Sequence, residues 1–369
     1  MTSRTPTFSL PVLAEKAQAV VFRGLMGLPG PVQRRLAGRP VVVDGQVLDA
    51  QTQWMLRLQQ WVREPAVETL PMEKAREGLR RQSMLVGGRQ PVGEVRELTV
   101  PGADGPIAAR LYAPRSQVDA AAAGAAAGDG AVAAGSPLLF FIHGGGMMYG
   151  GLDSHDALCR FLAERADLRV LSVDYRLAPE HPFPAAVEDC WASYQWVSEN
   201  AETLGVDPER IAVGGDSAGG YLSAVTAILA AEAGVPVKHQ LLIYPVTNMA
   251  DKSESRHTFG EGFFLTADFM DLAETSYLLP DQDRRDPRVS VHFTEKIPEN
   301  LAPASVVTAG FDPLRDEGEA YARLLAEAGV EVDLKRYPSF VHGFANMVGV
   351  GRATRAAVAE IAAKLKAAV

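Results

Sequence analysis

Cysteine is scarce in this chain of 369 residues, which contains only Cys159 and Cys190. Both lie in segments whose pattern predicts a helix, so we expect no framework of disulfides to hold the fold together. Two isolated thiols are typical of a protein in a reducing compartment, and we expect a cytoplasmic location. Stability must come from a hydrophobic core, which a content of 47% hydrophobic residues can supply.

Clusters of Lys and Arg are also missing, and the net charge is -9. Because phosphate backbones and anionic lipids attract clustered positive charge, we expect no binding to nucleic acid and no tight association with a membrane surface. At the N-terminus, Glu15, Lys16 and Arg23 interrupt the apolar residues before they could form a signal-peptide core or a membrane span. Stable membrane insertion is therefore not expected.

Patterns that bind metals or cofactors are lacking as well. His155, His239, His257 and His292 show none of the spacings that hold a metal ion. No second glycine-rich phosphate loop occurs. The sequence predicts a protein that needs neither a metal ion nor an organic cofactor.

Short apolar runs alternate with longer helical stretches from about residue 91 onward, which predicts an α/β fold. Two alternating runs, Glu94–Val100 and Pro106–Tyr112, flank a turn and predict an antiparallel hairpin. Six further runs alternate with helices such as Ala218–Ala233 and Glu317–Ala328, so we expect a mostly parallel eight-stranded sheet with helices on both faces. These runs are Leu138–Ile142, Arg169–Val173, Ile211–Val213, Gln240–Tyr244, Ser305–Ala309 and Val332–Tyr337.

Three segments stand outside this alternation. Residues 1–90 carry apolar residues at helical spacing but too few for a core of their own, so we expect a helical cap segment on the domain of residues 91–369. Residues 247–285 interrupt the alternation and are expected to contribute to the cap. Residues 119–135 are almost wholly Ala and Gly and are predicted to be a flexible insertion, although the alanines could form a transient helix.

The segment Gly214–Gly220, GGDSAGG, joins an apolar run to a long amphipathic stretch. Three interpretations compete: a plain glycine-rich turn, a trypsin-like serine, and a strained strand-to-helix turn that presents Ser217 as a nucleophile. In the third, the backbone N–H of Ala218 points at developing negative charge. A trypsin-like set of His143, Asp174 and Ser217 is rejected, because an all-β fold does not accommodate the alternating helices.

A second glycine run favours the nucleophile interpretation. The run His143–Gly146, HGGG, directly follows an apolar run. Glycines at the carboxyl end of a strand can present two backbone N–H groups to an oxyanion. We therefore expect Gly144, Gly145 and Ala218 to form an oxyanion hole, and we expect Asp216 to brace the turn rather than to act in catalysis.

Four motifs, in this order, resemble those of the hormone-sensitive-lipase family of α/β-hydrolases, in its bacterial carboxylesterase branch. They are HGGG at 143–146, DYRLAPEHPFPAA at 174–186, GDSAGG at 215–220, and DPLRDEG at 312–318 followed by HGF at 342–344. The resemblance covers about residues 92–369 as the catalytic domain and places the N-terminal segment where the family has its cap. It implies the α/β-hydrolase fold.

The resemblance also implies that Ser217 is the nucleophile, His342 the general base and Asp312 the acid that orients the imidazole. The strand pattern agrees, because Asp312 and His342 follow apolar runs whose carboxyl ends meet at one edge of a parallel sheet. Asp316 and Glu317 are competing acids nearby. They are expected to begin the following helix, where carboxylates stabilise a first turn.

Five residues are candidates for the substrate pocket. Met147, Met148 and Tyr149 follow the glycine run, and ordinary packing is an equal alternative for them. Phe263 and Phe264 belong to the stretch expected to contribute to the cap. A pocket of such residues would suit an apolar substrate.

These features predict a serine carboxylesterase that hydrolyses small, apolar, short-to-medium-chain esters through an acyl-enzyme. An amidase or formamidase with the same triad stays open, because the same intermediate serves both reactions. A non-catalytic ligand-binding protein on this scaffold is disfavoured, because His342 is present. The expected partner is a small-molecule ester, and the oligomeric state is left open, a homodimer included.

Overall fold

The computed structural model describes residues 19–62, 65–127 and 135–369, and a large sheet runs through its centre. Two short strands, β1 (Val42–Val43) and β2 (Gln46–Val47), form a separate antiparallel ribbon. The strands of the large sheet are β3 (Glu94–Gly102), β4 (Gly105–Ala113), β5 (Ser136–Ile142), β6 (Arg169–Val173), β7 (Val206–Asp216), β8 (His239–Ile243), β9 (Ala304–Phe311) and β10 (Val332–Val341).

The large sheet has the strand order β10-β9-β8-β7-β5-β6-β4-β3. The strands from β10 across to β6 pair in parallel. In contrast, β4 pairs antiparallel with both β3 and β6. The predicted hairpin and the predicted mostly parallel eight-stranded sheet are confirmed. All residues of β8 and β9 are buried, as expected for parallel strands that helices cover on both faces.

Helices pack on both faces of the sheet. None of the helices in the described ranges is long and apolar enough to cross a membrane. They include α1 (Gly30–Ala37), α2 (Ala50–Val62), α3 (Met72–Gly87), α4 (Arg115–Ala127), α5 (Leu152–Ala166), α6 (Ala185–Glu199), α7 (Ala218–Ala233), α8 (Glu254–Phe259), α9 (Ala267–Tyr277), α10 (Arg315–Glu327) and α11 (Arg352–Ala368).

The side chains of β5 point alternately into two hydrophobic cores, one on each face of the sheet. Leu138, Phe140 and Ile142 pack in the core that contains residues of α6, α7 and α10. Leu139 and Phe141 pack in the core that contains residues of α5 and α11. Because side chains alternate along a strand, a run that is apolar throughout anchors both helical layers.

The described part of the N-terminal segment is mainly helical, and it packs against the ends of β9 and β10. Met26 and Trp54 share a small core with Phe311 and Val341, the last residues of those two strands. The backbone N–H of Asp49 also donates to the carbonyl of Ser339 at 2.9 Å. Contacts with the N-terminal segment therefore help to hold the residues that follow β9 and β10, in addition to the sheet itself.

The Ala/Gly tract differs in part from its prediction. Residues 115–127 form helix α4, while residues 128–134 lie outside the described residues. Alanine is the best helix former, which accounts for a helix where a flexible insertion was expected. Gln117 donates to the carbonyl of Asp167 at 3.1 Å and accepts a hydrogen bond from Arg169, the first residue of β6. The start of α4 thus lies at the amino ends of the parallel strands.

Candidate active site

A sharp turn joins β7 to α7 and carries Ser217 at its tip. Ser217 has φ 57° and ψ -119°, a conformation that non-glycine residues adopt only under strain. Its backbone N–H donates at 2.8 Å to the carbonyl of Ile243, the last residue of β8. A Cβ on Gly215 or Gly219 would collide with the carbonyl oxygen of Ile142 on β5. The close packing of this turn against β5 therefore requires glycine at both positions.

Three side chains from separate loops meet at the carboxyl edge of the sheet. His342 Nε2 lies 2.9 Å from Ser217 Oγ, and His342 Nδ1 lies 2.9 Å from Asp312 Oδ2. Because an ionised carboxylate can only accept, Nδ1 carries the proton and Nε2 accepts the hydrogen bond of the Ser217 hydroxyl. Asp312 is fully buried, and its Oδ1 accepts the backbone N–H of Leu314 at 2.8 Å. This geometry can remove the serine proton during an attack on a carbonyl carbon.

The two competing carboxylates have other partners. Asp316 accepts the backbone N–H of Ser255 at 2.9 Å and the Nε–H of Arg315 at 2.8 Å. Glu317 accepts the backbone N–H of Thr247 at 2.8 Å. Both carboxylates also lie in the first turn of α10. Asp312 is thus the carboxylate that contacts the imidazole.

The backbone N–H groups near Ser217 correct one predicted residue. The N–H of Gly144 donates to Asp216 Oδ1 at 3.0 Å, so it is not available to an oxyanion. Within the described residues, no hydrogen bond takes up the N–H groups of Gly145, Gly146 and Ala218. Gly146 also lines the cavity beside Ser217. Sequence reasoning chose Gly144 rather than Gly146, because three successive glycines look alike until the partner of the first is known.

Asp216 is buried, and its contacts brace the turn. It accepts hydrogen bonds from Gly144 N–H at 3.0 Å and Asn346 Nδ2 at 3.0 Å, and it pairs with His155 Nε2 at 3.1 Å. Burial acts to raise the pKa of Asp216, but the attraction of His155 and these hydrogen bonds hold it below its ordinary value. One carboxylate therefore joins the glycine loop, α5 and the loop that follows His342.

A small cavity opens beside Ser217, and Met147 is the predicted pocket residue that lines it. The other four predicted pocket residues do not line it. Met148 is fully buried, and the ring of Tyr149 packs 5.5 Å from that of Phe269, measured between centroids. Phe263 packs in the core of the N-terminal segment, and Phe264 is exposed beside Gly343. These four side chains are occupied by packing or face solvent, so the predicted lining is corrected.

Most of the residues that line the cavity belong to the stretch 247–285. The sequence pointed to that stretch, but not to its residues, because their spacing in the chain carries no motif. Besides Gly146, Met147 and Ser217, the lining consists of Val246, Asn248, Met249, Arg256, Leu265, Phe269, Met270, Ala273, Glu274, Leu314 and Glu317.

Besides Ser217, three buried polar side chains interrupt this mainly apolar lining, those of Arg256, Glu274 and Glu317. Arg256 donates to Glu274 at 2.5 Å and to Asp271 at 2.9 Å. Burial raises the pKa of Glu317 to about 8, against the opposing effect of backbone hydrogen bonds and the nearby Arg256. Burial therefore favours the protonated, uncharged form of the Glu317 carboxyl.

Comparisons with known proteins agree with this site. A family model described as alpha/beta hydrolase fold matches residues 139–346. The carboxylic ester hydrolase LipN of Mycobacterium tuberculosis is 43% identical over 92% of this chain and 88% of its own length. The ethyl acetate hydrolase of Pseudomonas putida is 38% identical over 76% of this chain and 85% of its own length. The crystallised hyperthermophilic esterase of Pyrobaculum calidifontis superposes with a TM-score of 0.78 at 40% identity, covering 87% of this chain and 98% of its own.

We predict that Glu317→Gln stabilises the protein increasingly as the pH rises from about 5 to about 8.5. Folded Glu317 keeps its proton up to a pKa of about 8, whereas its ordinary pKa is 4.5. Unfolding releases that proton between these two values, so the free energy of unfolding of the wild type falls as pH rises. The amide does not titrate. Thermal melts at several pH values, with the exposed Glu299→Gln as control, measure the difference. A melting-temperature difference independent of pH would contradict the prediction.

Proposed function

Because the chain belongs to the hormone-sensitive-lipase family of α/β-hydrolases and is a serine carboxylesterase, we propose that Ser217, His342 and Asp312 carry out its reaction. The observation that carries this proposal is the continuous pair of 2.9 Å hydrogen bonds from Ser217 through His342 to Asp312. Nucleophile, base and orienting acid are the three roles that acyl transfer requires.

In the proposed reaction, Ser217 Oγ attacks the ester carbonyl carbon while His342 Nε2 takes its proton. The imidazolium that forms is stabilised by Asp312. It then gives the proton to the leaving alcohol, which departs and leaves an acyl-enzyme. Water attacks the acyl-enzyme with His342 again as base, and the acid product and free Ser217 result.

The oxyanion of each tetrahedral intermediate is proposed to accept hydrogen bonds from the backbone N–H groups of Gly145, Gly146 and Ala218. All three lack other acceptors in the described part of the chain. Ala218 begins α7, so the positive end of the helix dipole adds to the stabilisation.

We propose small, apolar esters of short-to-medium chain length as substrates. The small cavity beside Ser217, with side chains such as Val246, Leu265 and Met270, supports a short acyl or alcohol group. The likeness to a protein named ethyl acetate hydrolase points the same way. The ester hydrolases among the relatives favour the ester over the amide as the bond cleaved.

The segments outside the sheet are proposed to act as a cap. Leu265, Phe269 and Met270, from the stretch 247–285, line the cavity. In addition, Thr266 donates to Glu68 at 2.9 Å, which ties that stretch to the N-terminal segment. Such a cover excludes water from the acyl-enzyme site. A cytoplasmic location stays a prediction, and the oligomeric state stays open, a homodimer included.

We predict that Ser217→Ala abolishes ester hydrolysis and leaves the fold intact, because the hydroxyl supplies the covalent step and little packing. Incubation with an organophosphonate should place one adduct on Ser217 of the wild type, measured by intact-mass and peptide mass spectrometry. Ser223→Ala, in the helix that follows Ser217, is the matched control and should still be labelled. Labelling of another serine, or turnover by the Ser217→Ala enzyme, would disprove the assignment of the nucleophile.

We predict that Asp312→Asn lowers kcat by about four orders of magnitude, the size of the effect of the equivalent exchange in trypsin, because the imidazole loses its orienting acceptor. Asp316→Asn, in the following helix, is the control and should cost far less, since Asp316 bonds to Ser255 and Arg315. Steady-state kinetics on p-nitrophenyl butyrate measure both effects. A larger loss in Asp316→Asn would identify Asp316 as the acid instead.

A further inference from the structure

Three buried polar atoms, on two residues that line the cavity and on one chain neighbour of the lining, have no hydrogen-bond partner among the described residues. They are Arg256 Nε, Glu317 Oε2 and Thr247 Oγ1. Arg256 and Glu317 both line the cavity that contains Ser217, and the side chains of both residues are buried. A buried polar atom without a partner costs free energy, so Arg256 Nε and Glu317 Oε2, on two residues that line one cavity, mark a place where an external group can bind.

The remaining polar atoms of Arg256 and Glu317 are all engaged. The two terminal nitrogens of Arg256 donate to Glu274 and Asp271. Glu317 Oε1 accepts two backbone N–H groups, from Thr247 at 2.8 Å and Asn248 at 3.2 Å. These contacts hold both side chains in place, and each keeps one donor unused: the Nε–H of Arg256 and, while the carboxyl is protonated, the O–H of Glu317. Unused donors on two side chains that line the same cavity suit an oxygen acceptor.

We propose that Arg256 and Glu317 bind a second oxygen atom of the substrate, so that this esterase prefers esters with an uncharged carbonyl oxygen beyond the scissile group. This inference rests on the proposed function, because it places the oxygen in the cavity next to Ser217. The oxygen is uncharged because the Arg256 guanidinium is already paired with two carboxylates, Glu274 and Asp271. A third negative charge buried there would lack a counter-charge of its own.

The test compares kcat/KM within pairs of esters of matched shape. In each pair, one ester carries a carbonyl oxygen where the other carries a methyl group. The pairs are ethyl acetoacetate with ethyl 3-methylbutanoate, ethyl levulinate with ethyl 4-methylpentanoate, and 2-oxopropyl butyrate with isobutyl butyrate. Each ratio of kcat/KM is divided by the ratio of the hydroxide-catalysed rates, which removes the difference in chemical reactivity. We expect the wild type to prefer the oxo ester about tenfold or more in at least one pair, as a hydrogen bond to a charged donor allows.

Arg256→Lys keeps a positive charge for Glu274 but removes the guanidinium Nε–H, so the preference should fall several-fold. Arg285→Lys, at an exposed ion pair with Asp251, is the matched control and should keep the preference.

Ratios of kcat/KM near one in all three pairs of esters, measured with the wild type, would overturn the inference. This comparison does not depend on the folding of any variant. Preference for monoethyl succinate over ethyl levulinate would overturn the assignment of an uncharged oxygen. Failure to hydrolyse any of these esters would instead count against the proposed function.

Discussion

The carboxylate of Asp216 is the point to which the parts of the active site are fixed. The strained backbone of Ser217 is unfavourable by itself and persists only where the surroundings hold it. Asp216 supplies that restraint from the adjacent position, by accepting hydrogen bonds from the glycine loop and from Asn346, beyond His342. Ser217, the glycine loop and the loop that follows His342 therefore depend on a single buried charge, which His155 contacts in turn.

Asp312 and His342, the proposed acid and base, are held from a second side. Phe311 precedes Asp312, Val341 precedes His342, and both apolar residues belong to the core formed with the N-terminal helices. Asp312 and His342 thus stand between the sheet and the proposed cap, which connects packing far from the nucleophile with the geometry of the reacting groups. The same cap region brings Arg256 beside Ser217 in a cavity that is otherwise mainly apolar.

Much of this could be predicted from the sequence, where local pattern determines the outcome. The strands follow from apolar runs, and the positions of Ser217, Asp312 and His342 follow from the strands that they succeed. The glycines of the proposed oxyanion hole could not be chosen from the sequence, because the choice depends on which backbone N–H bonds to Asp216. The cavity lining could not be predicted either, since Met148 and Tyr149 are buried by tertiary contacts, whereas Arg256 reaches the site only through the packing of α8 and α9.

The central claim, that Asp216 positions the nucleophile and the oxyanion loop, is tested most directly by the kcat of Asp216→Ala on p-nitrophenyl butyrate. The substitution leaves Gly144 N–H, His155 and Asn346 without their common acceptor. We predict a loss of about 100-fold or more in kcat in a variant that remains folded by circular dichroism, because small displacements of reacting groups have effects of that size. A folded variant whose kcat stays within about threefold of the wild-type value would contradict the account, because displaced reacting groups cause a much larger loss.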